Sequence, residues 1–375
     1  MSGGLSCTAF GGLLQDSGVE IVCVVADIGQ LGPFPPAALG ELLTSQGFRT
    51  QVIDLRAAMA ELCLDLVKYQ ARYDGGYWNT TSASRLTLVD GLAEPLRTAG
   101  CTVLAHGCVG NGNDQGRIAR YAATLAPDLT VFAPWTHDWS LERFPDRRSM
   151  ADYLLARGFP TEFAGFTDYS VDGNLGGYAH DGGELERLTT SVRTIEPFMT
   201  TWPDAAGDKA ERLRVRFVAG RPEEINATKV SPLQAILLAN ELGGRNGISM
   251  RSVVENRVNG TKCRGVYEAP GMEVLGQCLA ALYQVTLDRA ATDLFQLLSR
   301  RIGHAAYEGR YLDPATTAAR AAVDRLAAYA TGTVEVDLYK GGIMVNELHP
   351  DNGGVTRQTR FRRGGLRWHT EFQPA

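Results

Sequence analysis

His106-Gly-Cys-Val-Gly-Asn-Gly-Asn-Asp-Gln-Gly-Arg117 decides how this chain reads. Just before it, Thr102–Ala105 has the apolar character of a short buried strand. Just after it, Ile118, Tyr121, Ala122 and Leu125 recur at helical spacing. The stretch is therefore a turn from strand to helix. Gly107, Gly110 and Gly112 let backbone approach a ligand with no Cβ between, and free N–H groups at a helix start favour an anion. Asn113, Asp114 and Arg117 add an amide, a carboxylate and a guanidinium, a set that suits an amino acid. A glycine-rich turn whose charges only cap a helix fits the same spacing. The three glycines do not match the dinucleotide fingerprint G-x-G-x-x-G.

Working outward, residues 1–165 alternate strand and helix signals. Strands are expected at Glu20–Val25, Gln51–Leu55, Thr102–Ala105 and Leu129–Ala133. Helices are expected at Pro36–Ser45, Ala57–Tyr69, Ser84–Thr98, Gln115–Leu125 and Met150–Arg157. Such alternation predicts an α/β unit with a parallel sheet covered on both faces, its ligands at the carboxyl ends of the strands. Residues 166–375 read as α+β. Glycine-rich turns fill Gly173–Gly183, a strand alternates over Leu213–Val218, and the helix Pro232–Leu242 is expected to stop at Gly243-Gly244. Met250–Glu255 is strand-like, Met272–Arg301 is helical with an interruption, and Pro314–Ala330 is helical. Val334–Leu338 and Ile343–Val345 are short strands.

A length of 375 residues suggests two domains, divided near residue 165. A net charge of −5 gives no basic field for nucleic acid. No apolar run reaches the ~18 residues that span a membrane, and no signal peptide is visible. The seven cysteines are scattered without a C-x-x-C, which predicts reduced thiols in a cytoplasm. Cys108 reads as a small packing residue.

The central stretch resembles the argininosuccinate synthetase family motif H-G-x-T-G-K-G-N-D-Q-x-R. Further family motifs follow in order: Ala26-Asp-Ile-Gly-Gln30; Tyr77 with Thr81-Ser82 and Arg85; Ala133-Pro-Trp135; Tyr169-Ser-Val-Asp-Gly-Asn174; Gly243-Gly-Arg-Asn-Gly247; Val254-Glu-Asn-Arg257; Arg264-Gly-Val-Tyr-Glu-Ala-Pro-Gly271; and Leu338-Tyr-Lys-Gly341. The resemblance implies an adenine nucleotide alpha hydrolase-like nucleotide-binding domain over 1–165 and a synthetase/multimerisation domain over 166–375. It implies joining of citrulline to aspartate with ATP and Mg2+, in arginine biosynthesis, by a homo-oligomer, a tetramer in the family. For ATP it points to Ser2, Gly3, Gly4, Ser6, Ala26 and Gly107. For citrulline it points to Tyr77, Ser82, Asn113, Arg117, Ser170, Glu255 and Tyr267, and for aspartate to Val109, Asn113 and Asp114.

Four departures from the family pattern bear on these expectations. The central threonine is Val109, and the lysine two positions on is Asn111. A citrulline-contacting serine is Ala179, and the acid of the pyrophosphate loop S-G-G-L-D-T-S is Ser6. Ser6 can cap a helix but carries no charge toward a metal–phosphate complex. Met1 directly precedes that loop, so the family's central first strand has no counterpart in the sequence as it stands, and an incomplete parallel sheet is expected. The stretch after Asn346 is polar and shorter than the family's helical arm. Two rival readings follow. One is a paralogous ligase of a specialised pathway with a different amine or ureido substrate. The other is a non-catalytic citrulline-binding protein.

Overall fold

The computed structural model describes residues 3–32, 34–108, 112–163 and 169–351. The first half runs Leu5–Asp16 (α1), Val22–Asp27 (β1), Pro36–Ser45 (α2), Arg49–Asp54 (β2), Arg56–Lys68 (α3), Thr80–Thr98 (α4), Val103–Ala105 (β3), Asn113–Leu125 (α5), Thr130–Phe132 (β4), Asp138–Arg143 (α6) and Arg147–Ala156 (α7). Each strand and helix expected from periodicity is present, most with ends shifted by one or two residues.

β1 explains why a run such as Val22-Cys-Val-Val-Ala-Asp27 must be a buried strand. Val24 and Ala26 face one apolar cluster, with Met59 and Leu66 of α3 and Leu104 of β3. Cys23 and Val25 face another, with Ala9 and Phe10 of α1, Leu39 and Leu43 of α2, and Leu154 of α7. Successive residues of a strand point to opposite faces, so only a strand clothed on both sides tolerates an unbroken apolar run.

The parallel strands do not form one sheet among the described residues. β1 pairs with β2 and β3 pairs with β4, both in parallel, as two separate two-stranded units.

The second half runs Ser170–Asn174 (β5), Gly177–Asp181 (β6), Glu211–Val218 (β7), Arg221–Ile225 (β8), Thr228–Lys229 (β9), Pro232–Arg245 (α8), Met250–Asn256 (β10), Lys262–Glu268 (β11), Pro270–Thr286 (α9), Arg289–Tyr307 (α10), Pro314–Ala327 (α11), Gly332–Tyr339 (β12) and Gly342–Pro350 (β13). Its strands form two antiparallel sheets, ordered β10-β11-β6-β5 and β13-β12-β7-β8-β9. The apolar cluster under β1 continues through α8, α9, β7 and β12. One core therefore runs across both halves, with α3 packed against α8 and α9.

Two glycine-rich stretches are not what the sequence predicts. Gly173–Gly183, expected as turns, holds the hairpin β5–β6. Gly173 and Gly177 are there for close approach rather than for turning, whereas Gly182 and Gly183, with positive φ, do make a turn after β6. A Cβ on Gly173 would lie 2.1 Å from the Tyr178 ring, and one on Gly177 would lie 2.1 Å from the Glu268 carbonyl. Gly243-Gly244 does not stop α8, which continues to Arg245. These glycines let α8 touch its neighbours: a Cβ on Gly244 would meet the Met199 carbonyl at 2.1 Å.

The sign of one substitution separates the two roles. Alanine for glycine inside an open helix stabilises by roughly 1 kcal/mol. Gly244→Ala is expected instead to destabilise by about 1–3 kcal/mol through overpacking, read as a lower midpoint in thermal or urea unfolding.

Candidate functional site

The site lies at the carboxyl ends of β1 and β3. After β1 the chain folds back on itself. Gln30 donates to the Ala26 carbonyl at 2.8 Å, and the Gly29 N–H donates to Asp27 Oδ1 at 2.9 Å. The same loop is strapped to the β5–β6 hairpin. The Leu175 N–H donates to the Ile28 carbonyl at 2.8 Å, and the Tyr178 hydroxyl bonds the Leu31 backbone.

After β3, Gly107 lies against the first turn of α1, where a Cβ would fall 2.4 Å from Cys7 Cα. Gly4 is the N-cap of α1, and the preceding Gly3 has φ +74°, a left-handed conformation suited to glycine. No acid stands in the first turn of α1, where Ser6 sits. Of the expected ATP contacts, Gly3, Gly4 and Ser6 lie at the start of α1, Gly107 lies against that turn, and Ala26 lies near the end of β1; Ser2 lies outside the described residues, as do Val109 and Asn111. His106 accepts from the Cys108 N–H at Nδ1, 3.3 Å away. Burial pushes the ring down to about 4, so it is neutral near pH 7. Cys108 packs at the edge of the main core, as expected.

A partly buried ionic cluster, with Arg117 its buried member, joins this end to the amino-acid side. Arg85 of α4 donates to Asp114 at 2.8 Å and also bonds Asp172 of β5. Arg117, one turn along α5, donates to the other Asp114 oxygen at 2.9 Å. Burial alone would raise the Asp114 carboxyl, but Arg85 and then Arg117 outweigh it and hold it near 2. Asp172 is raised by burial, against the pull of Arg85. Arg117 also donates through Nε to the Tyr307 carbonyl at 2.7 Å, and its guanidinium lies 4.7 Å from the Tyr307 ring centre. With its side chain 4% exposed, Arg117 keeps one buried nitrogen, Nη2, without a hydrogen-bond partner among the described residues. An unbonded guanidinium nitrogen in a dry place costs free energy until an acceptor arrives.

Four buried tyrosines pack together beside the cluster. Tyr73 stacks on Tyr307 with ring centres 3.7 Å apart, and Tyr77 lies 4.1 Å from Tyr267. Glu255 of β10 is buried here and accepts from the Tyr267 hydroxyl at 2.9 Å. Burial pushes its carboxyl up, while hydrogen bonds from Tyr307 and Tyr267 and the nearby Arg117 oppose the rise. Asn113 donates to the Tyr307 hydroxyl at 2.8 Å and accepts from the Val258 N–H at 2.9 Å.

Of the expected citrulline residues, Tyr77, Asn113, Arg117, Glu255 and Tyr267 gather around this cluster. Ser82 is fully buried, its hydroxyl donating to the Asn79 carbonyl at 3.0 Å. Ser170 is exposed at the start of β5. Ala179 faces the tyrosine cluster with a methyl where the family has a hydroxyl. Sequence reasoning did not place Asp172 or Tyr307 in the site. Tyr307 ends an apolar helix face shared with Ile302 and Ala306, and so reads as core. No spacing signal links Asp172 to Arg85 and Asp114, which come from different elements.

Removing Arg85 would leave Asp114 and Asp172 facing each other. Because breaking a partly buried ion pair strands a charge, while Asp114 keeps Arg117, Arg85→Ala is expected to cost about 1–3 kcal/mol in urea unfolding. Lysine would restore only part of this, since it lacks the fork that serves two carboxylates.

Two family models match the chain: the arginosuccinate synthase N-terminal HUP domain over residues 1–160 and the arginosuccinate synthase C-terminal domain over residues 169–352. Among curated relatives, the argininosuccinate synthase of Rhodopirellula baltica is 32% identical over 369 residues, covering 97% of this chain and 91% of that protein. Those of Carboxydothermus hydrogenoformans and Moritella profunda are 33% and 34% identical, covering 91% and 94% of this chain and 84% and 87% of theirs. With both family models and near-complete relatives in agreement with the site's geometry, the chain belongs to the argininosuccinate synthase family, and with it to the carbon–nitrogen ligases.

Proposed function

We propose that the chain condenses citrulline with aspartate at the expense of ATP, giving argininosuccinate, AMP and pyrophosphate through a citrullyl-AMP intermediate. The observation that carries this is the pairing of Arg117 and Glu255. A buried guanidinium with a spare donor and a buried carboxylate in its electrostatic reach together form a receptor for the carboxylate and ammonium of an α-amino acid.

In this reading, Tyr77, Ser82, Asn113, Arg117, Ser170, Glu255 and Tyr267 serve citrulline. Arg117 and Glu255 hold its two charges, the tyrosines exclude water, and Ser82 acts indirectly by fixing the first turn of α4. Gly3 and Gly4, with Ser2, offer backbone N–H groups to pyrophosphate at the start of α1. Ser6, Ala26 and Gly107 complete the nucleotide contacts. The ureido oxygen of citrulline attacks the α-phosphorus and pyrophosphate leaves. The aspartate amine then attacks the activated carbon and AMP leaves. Such chemistry needs reactants held in line and charge offset more than it needs a protein nucleophile.

Asn113, Asp114 and Val109 are assigned to the aspartate side. Because both Asp114 oxygens already accept from arginines, it works mainly by aiming Arg117. Mg2+ belongs with the ATP phosphates. The first turn of α1 supplies no carboxylate for it, and no step is assigned to the metal. The division near residue 165, a homo-oligomeric, tetrameric assembly and a cytoplasmic location complete the proposal. Among the described residues, no helix is long and apolar enough to cross a membrane. Neither rival reading gains a relative from the comparisons.

Pyrophosphate release is expected only when ATP and citrulline are present together, with argininosuccinate appearing when aspartate is added. Arg117→Ala should weaken citrulline by about 2–5 kcal/mol. Pyrophosphate release with another ureido compound but not citrulline would overturn the assignment, as would citrulline affinity unchanged in Arg117→Ala.

A further inference from the structure

One tyrosine of the second half reaches into the loop after β1. The Tyr178 hydroxyl, on β6, accepts from the Leu31 N–H and donates to the Leu31 carbonyl at 3.0 Å. Burial pushes this phenol up to about 12, so it keeps its proton near pH 7. One hydroxyl thus engages both backbone groups of one residue, which fixes that residue's place and orientation together.

The ring behind the hydroxyl is itself held. Gly173 of β5 makes room for it, since a Cβ there would come within 2.1 Å of the ring. Phe198 stacks on it, with ring centres 4.8 Å apart and planes 5° from parallel. Phe198 is anchored in turn. Its N–H donates to the Glu268 carboxylate at 2.9 Å, as the Met199 and Thr200 N–H groups do at 2.7 and 2.8 Å.

This tether serves the loop and not the core. Leu31 is 58% exposed, so packing gains little from holding it. The other bonds of the loop have the same effect. Gln30 bridges the Ala26 carbonyl and the Ile28 N–H, and the Leu175 N–H donates to the Ile28 carbonyl. Those bonds hold the end of the loop next to Ala26, and Tyr178 holds its far end.

The proposed function gives Ala26 to the nucleotide and the start of α1 to pyrophosphate, which leaves the loop after β1 for the AMP part of ATP. Resting on that reading, we infer that Tyr178 is a positioning residue whose hydroxyl sets this loop for the AMP part of ATP. The role separates from packing, because the hydroxyl can be removed while the ring and strand stay.

The test is Tyr178→Phe in the full chain. In pyrophosphate release, KM for ATP should rise about 5-fold, the worth of one neutral hydrogen bond, with kcat little changed. Inhibition by AMP should weaken by a similar factor, while inhibition by pyrophosphate should not. Citrulline binding without ATP, read by calorimetry, should match the parent chain. A merely structural role would weaken all of these ligands together. Should Tyr178→Phe not fold, Phe198→Leu takes its place. It removes the stacked ring but leaves the hydroxyl, and the same selective loss of ATP and AMP is expected. Unchanged ATP and AMP affinity, or an equal loss of pyrophosphate or citrulline, would overturn the inference. If the parent chain releases pyrophosphate from ATP with citrulline and only the variant is silent, the inference alone fails. If the parent chain binds citrulline but neither ATP nor AMP, the nucleotide reading fails and takes this inference with it.

Discussion

The carboxylate of Asp114, shared between Arg85 and Arg117, is the constraint on which the site depends. It ties the first turn of α5 to α4, and through Asp172 to the hairpin strand β5. Charges in such a place must be paired on every side, since each one left alone would cost several kcal/mol by desolvation, on the order of what a whole domain has to spare. Two cations and two anions meet this need within the cluster. Among the described residues the cluster leaves Arg85 Nε and Arg117 Nη2 without a partner, and the second is the donor proposed for the substrate carboxylate.

The same pairing couples the site to the fold. Arg85 stands on a helix whose apolar residues Leu86, Val89 and Leu96 belong to the core that runs under β1, α3 and α9. Asp172 stands on a strand whose hairpin is strapped to the loop after β1 through Leu175 and Tyr178. Movement of either half would break charged bonds in the cluster and backbone bonds in the strap together. The nucleotide end and the amino-acid end are thus held at a fixed spacing, as an adenylation followed by a displacement requires.

How much of this was legible in the sequence follows from what each feature depends on. β1, α3 and α5 depend on local periodicity, and their apolar residues announce them. Gly173, Gly177 and the pair Gly243-Gly244 do not turn or stop the chain as their residue type suggests, because glycine's meaning depends on what lies across from it. Here that is Tyr178, the Glu268 carbonyl and the Met199 carbonyl, all distant along the chain. Arg117 and Glu255 were legible through ordered motifs. Tyr307 and Asp172 were not, since a tyrosine ending an apolar helix face and an aspartate in a glycine-rich tract each have a plain structural reading. Only their contacts to Asn113, Arg117 and Arg85 join them to the cluster.

The central claim is that Arg117, aimed by Asp114, receives the α-carboxylate of citrulline. Calorimetric comparison of citrulline with its α-carboxamide, which keeps the ammonium and ureido groups but lacks the negative charge, tests it most directly. The account predicts that the amide binds more weakly by about 2–5 kcal/mol, because a buried guanidinium loses its charged partner. Equal affinity for the two compounds would contradict it.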